Sequence, residues 1–188
     1  MKRHDTAVAA GLAVPSLLFV VAMFTVPPFM EWAFARHENT LSWFVRPLFL
    51  IPFCLFALHR SRAGLSLTVL LVLTSMFWFP QPAETDPRVE AFLAFEKDYL
   101  RNDWNAGKIA MTLLVPGTLT LLAVSFWRRS LRLGLSTLAA IAVMKSLWSV
   151  LFAGESGTAA IAPAAIGLLA CCVFVLLGVR TTRRRGER

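Results

Sequence analysis

Arg46 and Lys145 stand inside long apolar runs. An ionised side chain there is costly and usually faces a bundle interior or a wet cavity. Arg46 lies roughly 7–8 Å and Lys145 roughly 12 Å from the nearest predicted span end, at ~1.5 Å per helical residue. Carboxylates that could meet them occur in "DPRVEAFLAFEKDYLRNDW", residues 86–104. At 100° per residue its apolar face carries Val89, Phe92, Leu93, Phe95, Tyr99, Leu100 and Trp104, and its polar face Glu90, Lys97, Asp98 and Arg101. Glu96 projects between Val89 and Phe92, and Asp103 falls close by one heptad later, with Tyr99 between the two. A helix resting on anionic lipid would carry Lys or Arg there instead. Glu31 and Glu155 fall near the ends of predicted spans on the same side. The spacing therefore predicts a polar pocket or ion-pair cluster made of Arg46, Lys145, Glu96, Asp103, Tyr99, Glu31 and Glu155, capped by the 87–104 helix. Its chemistry is either fixed ion pairing, with long cationic stems snorkelling, or recognition of an anion.

Catalysis is the weaker reading. Glu96 and Asp103 have the right functional groups for an acid–base pair, but nothing near them supplies a nucleophile. The chain lacks H-E-x-x-H, G-x-S-x-G, a P-loop and a dinucleotide fingerprint. His4, His37 and His59 sit at predicted membrane edges and read as interfacial polar residues. Cys54, Cys171 and Cys172 lie in apolar runs without C-x-x-C spacing and read as packing residues. No catalytic residue, cofactor or metal site is expected.

These side chains need elements to hold them. Only 16% of residues are charged and 57% are hydrophobic, with a mean hydropathy of +0.64. The apolar residues come in long runs, not in stripes. The predicted fold class is an all-α integral membrane protein with six transmembrane helices and one extracytoplasmic amphipathic helix between spans 3 and 4, in a single polytopic domain over 1–188. The spans are 7–29, 41–58, 64–80, 107–127, 133–153 and 158–179, each long enough to cross ~30 Å. Pro15, Pro52, Pro116 and Pro163 should bend them locally. Phe77, Trp78 and Phe79 read as an aromatic anchor, Pro80 and Pro82 as a stop, and Asp86-Pro87 as a helix start.

The formal net charge of +8 does not point to nucleic acid, because the basic residues cluster beside apolar runs. Lys2, Arg3, Arg60, Arg62, Arg128, Arg129, Arg132 and the run Arg180, Arg183, Arg184, Arg185, Arg188 share one side with only Asp5 and Glu187. The positive-inside rule puts that side, with both termini, in the cytoplasm of an inner membrane. The "AFA" at 33–35 resembles a signal-peptide cleavage site, but the preceding apolar run is long and Glu31 and Trp32 intervene, so an uncleaved first span is expected. The "RTTRRRGER" tail reads as a topology anchor before a lipid-headgroup site.

Two further patterns stand out. "RSRAGLS" at 60–66 echoes "RSLRLGLS" at 129–136, the pattern of a parallel repeat of spans 2–3 in spans 4–5. Ala160, Ala164, Gly167 and Cys171 form a small-residue stripe, read first as intramolecular packing and second as a homo-oligomer face. The leading functional expectation is a non-enzymatic accessory protein that docks a partner protein or lipid on its extracytoplasmic side. The alternatives are a small transporter for an anionic solute and a lipid-modifying enzyme.

Overall fold

A computed structural model describes the backbone of residues 2–186 and the side chains of residues 3–179; the basic C-terminal side chains from Arg180 onward lie outside the described set. The described chain is all-helical. In order, the helices are α1 (Lys2–Thr25), α2 (Pro27–His37), α3 (Leu41–Leu48), α4 (Leu50–Leu58), α5 (Arg62–Thr74), α6 (Pro87–Arg101), α7 (Ala106–Trp127), α8 (Leu131–Ala153) and α9 (Ile161–Gly186). Short 3-10 turns occupy Ser75–Phe77 and Gly154–Ala160. Four stretches are long and apolar enough to cross a membrane: Arg3–Thr25, Leu41–Leu58, Ala106–Trp127 and Leu131–Val179. Arg62–Phe77 is a shorter apolar helix.

Prolines and glycine set the breaks. The first span was expected to run to residue 29, but the helix stops at Thr25. The Pro27 ring drives the preceding residue out of the helical region, and Val26 has φ −119°, ψ 87°. Pro27 and Pro28 then open α2, where their missing N–H groups cost nothing. The expected 41–58 span is a continuous rod with a joint at Phe49, whose N–H turns to Arg46 O at 3.2 Å. Pro52 has no N–H to offer Leu48, so the α-helical ladder is interrupted at that turn. The third apolar helix was expected to reach residue 80 and ends at Phe77. The 49-residue apolar stretch Leu131–Val179 folds back at Gly154, with φ 60° and ψ −135°, a conformation open to glycine alone. This lets α8 and α9 pack side by side.

The sequence echo corresponds to one turn built twice. Arg60 (φ 56°) and Arg129 (φ 57°) both take the left-handed conformation. Ser61 N–H then reaches Phe56 O, and Ser130 N–H reaches Ser125 O, each at 3.0 Å. This is the Schellman closure of a helix end. In both hairpins a glycine sits on a ring: a Cβ on Gly64 would lie 2.2 Å from Phe56, and one on Gly134 2.6 Å from Phe126. The first turn has an extra clamp, because Asp5 of α1 accepts from Arg62 N–H (2.8 Å), Ala63 N–H (3.2 Å) and Ser61 Oγ (3.0 Å). A carboxylate at a helix N-terminus satisfies donors that the helix cannot.

Two cores result. Phe53, Cys54, Ala57, Leu122, Phe126, Leu138, Cys171 and Val175 fill the end near these turns. Met23, Met30, Phe34, Trp43, Met76, Val89, Phe92 and Leu93 fill the opposite end, under α6. The small-residue stripe of α9 packs within the molecule: a Cβ on Gly167 would lie 2.4 Å from Pro47, and the Cys171 thiol donates to Pro47 O at 3.2 Å. Around this, Leu151 is 75% and Leu169 67% exposed. Large aliphatic side chains turned outward from long apolar helices suit hydrocarbon, not water.

The tightest approach in the hairpin between α8 and α9 is Gly157, where an added Cβ would lie 2.0 Å from the Ser149 carbonyl oxygen. Backbone cannot yield as a side-chain tip does, so Gly157→Ala should cost at least the ~1–3 kcal/mol typical of overpacking. Unfolding of the purified protein in detergent measures this; an unchanged midpoint would mean that the Gly154–Ala160 turn does not pack on α8 as described.

Candidate functional site

The site is the α6 end of the bundle, and α6 forms for local reasons. Asp86 caps it, its Oδ1 accepting from Arg88 N–H at 2.8 Å, with Pro87 in the first turn. Arg88 pairs with the same carboxylate at 2.9 Å and holds it below the usual carboxyl range, through that side-chain bond first and the backbone bond second. Val89, Phe92 and Leu93 are buried. Phe92 meets Trp43 edge-on at 5.5 Å. Phe95 and Tyr99 pack on Trp148 of α8 at 5.6 and 5.5 Å.

Both flanks of α6 are pinned by ion pairs. On one flank Glu96 Oε1 accepts from Lys145 Nζ at 2.6 Å. That ammonium also lies 4.8 Å from the Trp148 ring and 5.2 Å from the Phe92 ring. On the other flank Glu31 of α2 takes Lys97 at 2.8 Å and Arg101 at 2.7 Å, one on each oxygen. The Lys97 bond is the largest effect on the Glu31 pKa and lowers it; desolvation opposes it, and the Arg101 bond adds a further lowering. The sequence expectation set Lys97 near Glu90 on a solvated face. The break at Val26 instead brings Glu31 of α2 within reach of α6, and Glu31, not Glu90, is the carboxylate at ion-pair distance from Lys97. The connecting segment is tied to α2 as well: Arg36 Nε donates to Phe77 O (2.7 Å), Asn39 Nδ2 to Pro80 O (3.0 Å) and Thr85 Oγ1 to Glu38 Oε2 (3.1 Å).

Arg46 meets no carboxylate among the described residues. Its Nη1 donates to His37 Nε2 at 3.0 Å. A guanidinium has no lone pair to offer, so Nε2 must be the bare nitrogen and Nδ1 carries the hydrogen. Nδ1–H then donates to Ser42 Oγ (2.8 Å), and Ser42 Oγ donates to Asn39 O (2.7 Å). Trp43 Nε1 closes the ring by donating to His37 O at 2.9 Å. His37 was expected at an interface; it is buried, at 5% exposure. Burial first, then the nearby charges of Arg46 and Lys145, push its pKa well below the usual imidazole range. A lone histidine between two apolar runs gives no sign of this in sequence.

The other expected members lie elsewhere. Helix α6 ends at Arg101, not at residue 104, so Asp103 leaves the buried face and is exposed in the linker. Asn102 and Asn105 are both extended, and Asn105 caps α7 by accepting from Lys108 N–H at 2.9 Å. Lys108, which sequence reasoning passed over, ties this linker down. It is 8% exposed, donates to Asn102 O at 2.6 Å, and sits 4.8 Å from both the Tyr99 and Trp104 rings. Its spacing from Tyr99 and Trp104 was the available signal. Glu155 is exposed on the 3-10 turn and forms no salt bridge among the described residues, acting on Arg88 only at longer range. Among the described residues no three His, Cys, Asp or Glu side chains come together as metal ligands. Comparison of the chain with protein-family models, curated proteins and solved structures gives no match.

The Lys145 side chain is 47% exposed, so its pair with Glu96 is partly screened. Lys145→Met and Glu96→Gln should each lower stability, and the double variant should recover a coupling of about 0.5–1 kcal/mol. Additive single effects in a denaturation cycle would show that the pair does not hold α6. His37 makes a separate pH prediction. The unfolded chain binds a proton near pH 6.5, while the folded imidazole resists it. The stability from neutral His37 is therefore complete above that pH and is lost as pH falls toward the lower folded value. The melting temperature in detergent should decline from pH 7.5 to 5, and His37→Gln should flatten the decline; equal slopes would refute the assignment.

Proposed function

We propose that this chain is a six-span membrane protein whose α6 end faces away from the cytoplasm and docks a basic segment of a partner protein. The crossings are α1, the α3–α4 rod, α5, α7, α8 and α9. The first four-span count rises to six because the stretch Leu131–Val179 turns back at Gly154 and because Arg62–Phe77, though short, is apolar enough for a thinned or snorkelled crossing. The distribution of Lys and Arg supports cytoplasmic termini in an inner membrane. Helix α6 then lies on the outer side with an inward apolar face, in contact with membrane lipid at its edges.

One observation carries the docking reading. Apart from Arg46, the basic side chains near α6 are each met by an acceptor within the protein: Arg36 by Phe77 O, Arg88 by Asp86, Lys97 and Arg101 by Glu31, Lys145 by Glu96, and Lys108 by Asn102 O. Glu84, Glu90, Asp98, Asp103 and Glu155 are exposed and have no ion-pair partner among the described residues. A rigid, clamped helix that presents unpaired acids complements a Lys/Arg-rich segment, and such complementarity governs encounter rate and partner choice. The pairing of Lys145 with Glu96 supports a structural part for that lysine, which favours an accessory role over transport.

The test uses Ala94, exposed on α6 between Glu90 and Asp98. Ala94→Cys in a background without Cys54, Cys171 and Cys172 should react with a membrane-impermeant thiol crosslinker on intact cells. It should join a Lys/Arg-rich segment of a specific protein, and Glu90→Lys with Asp98→Lys should cut that conjugate at least five-fold. No reaction on intact cells would overturn the orientation; reaction without a charge-sensitive conjugate would overturn the docking.

A further inference from the structure

Arg46 differs from the other basic residues of this end in what holds it. Its partner is a neutral imidazole, which accepts one hydrogen bond and carries no charge of its own; the Glu96 carboxylate acts on Arg46 only from beyond ion-pair distance. Glu96 is occupied by Lys145 at 2.6 Å, and Arg46 forms no ion pair within the described chain. Arg46, Lys145 and Glu96 thus sum to one net positive charge, and of the three only Arg46 lies within the apolar stretch Leu41–Leu58. Such a charge calls for an anion.

The guanidinium also keeps donors for one. His37 uses Nη1 alone, so the Nε–Nη2 edge remains for a bidentate fork, the arrangement guanidinium makes with phosphate oxygens. Arg46 is packed closely yet not sealed: the residue keeps some exposure, and no fully buried side-chain nitrogen is left without a partner among the described residues. It is also held in advance: His37 is locked by Ser42, Ser42 by Asn39 O, and Trp43 bonds to the His37 carbonyl. A donor already oriented loses less entropy on binding. We infer that Arg46 binds a phosphate group, carried by a lipid headgroup or by a small soluble phosphate, with His37 as its positioning residue. The inference is independent of whether the acidic surface of α6 docks a partner.

Full-length protein in a phosphate-free maltoside micelle is the material for the test, with Trp fluorescence reporting through Trp43. It is titrated with inorganic phosphate and with a short-chain phosphatidylglycerol. Saturable binding of the lipid, displaced by phosphate only at much higher concentration, supports a headgroup source. Saturable binding of phosphate with none of the lipid supports a soluble source. In either case Arg46→Gln should weaken binding at least ten-fold, and Arg46→Lys, which keeps the charge but loses the fork, should fall between. His37→Gln should weaken it less, by misdirecting the guanidinium. If neither probe saturates on the folded wild-type protein, the inference fails whatever the variants do. Equal binding by a folded Arg46→Gln protein overturns it as well.

Discussion

A cation lodged among apolar side chains has to be given a partner, and that requirement organises the α6 end of this molecule. Four kinds of partner appear within one small region. Lys145 takes a carboxylate and two rings. Lys97 and Arg101 share the two oxygens of Glu31. Lys108 takes a backbone carbonyl and two rings. Arg46 takes a neutral histidine. The first three bring partners from different helices together, so each pairing is also a fastening between elements. The carboxylate pairs are partly exposed, so each contributes a modest, screened amount, and their effect lies in how many elements they tie together.

The consequence is a helix clamped on both flanks above a small aromatic core. Helix α6 is short and would be marginal alone in water. Its order comes from Phe92 on Trp43, Phe95 and Tyr99 on Trp148, and ion pairs to α2 and α8. The same pairings consume the basic residues around α6, Arg46 apart, and leave its acids facing outward, so the surface character follows from internal satisfaction.

Much of the framework was legible in sequence, because the signals are local. Long apolar runs, the Asp86-Pro87 start and the paired arginine turns all depend on residues near one another in the chain. The departures have equally physical origins. Pro27 and Pro28 cut the first helix short and start α2, an element the apolar run concealed. Asn102 and Asn105 end α6 before Asp103, whose place on the buried face assumed three more helical residues. His37 looked like an edge residue because nothing in its neighbourhood along the chain reveals that Arg46 and Ser42 will close on it.

By itself the sequence determined the all-helical, membrane-suited character, several helix limits such as Leu41, Leu58, Pro87, Trp127 and Ala153, and the fact that Arg46, Lys145 and Glu96 would be anomalous where they fall. These follow from hydropathy, side-chain sterics and capping, which act over a few residues. Only the tertiary structure decided who meets whom: Glu96 with Lys145, Glu31 with Lys97 and Arg101, Arg46 with His37. Glu96 and Lys145 are 49 residues apart, and Glu31 and Lys97 are 66. Partners so distant are chosen by how helices pack, and packing turns on where Val26 breaks one helix and Gly154 reverses another.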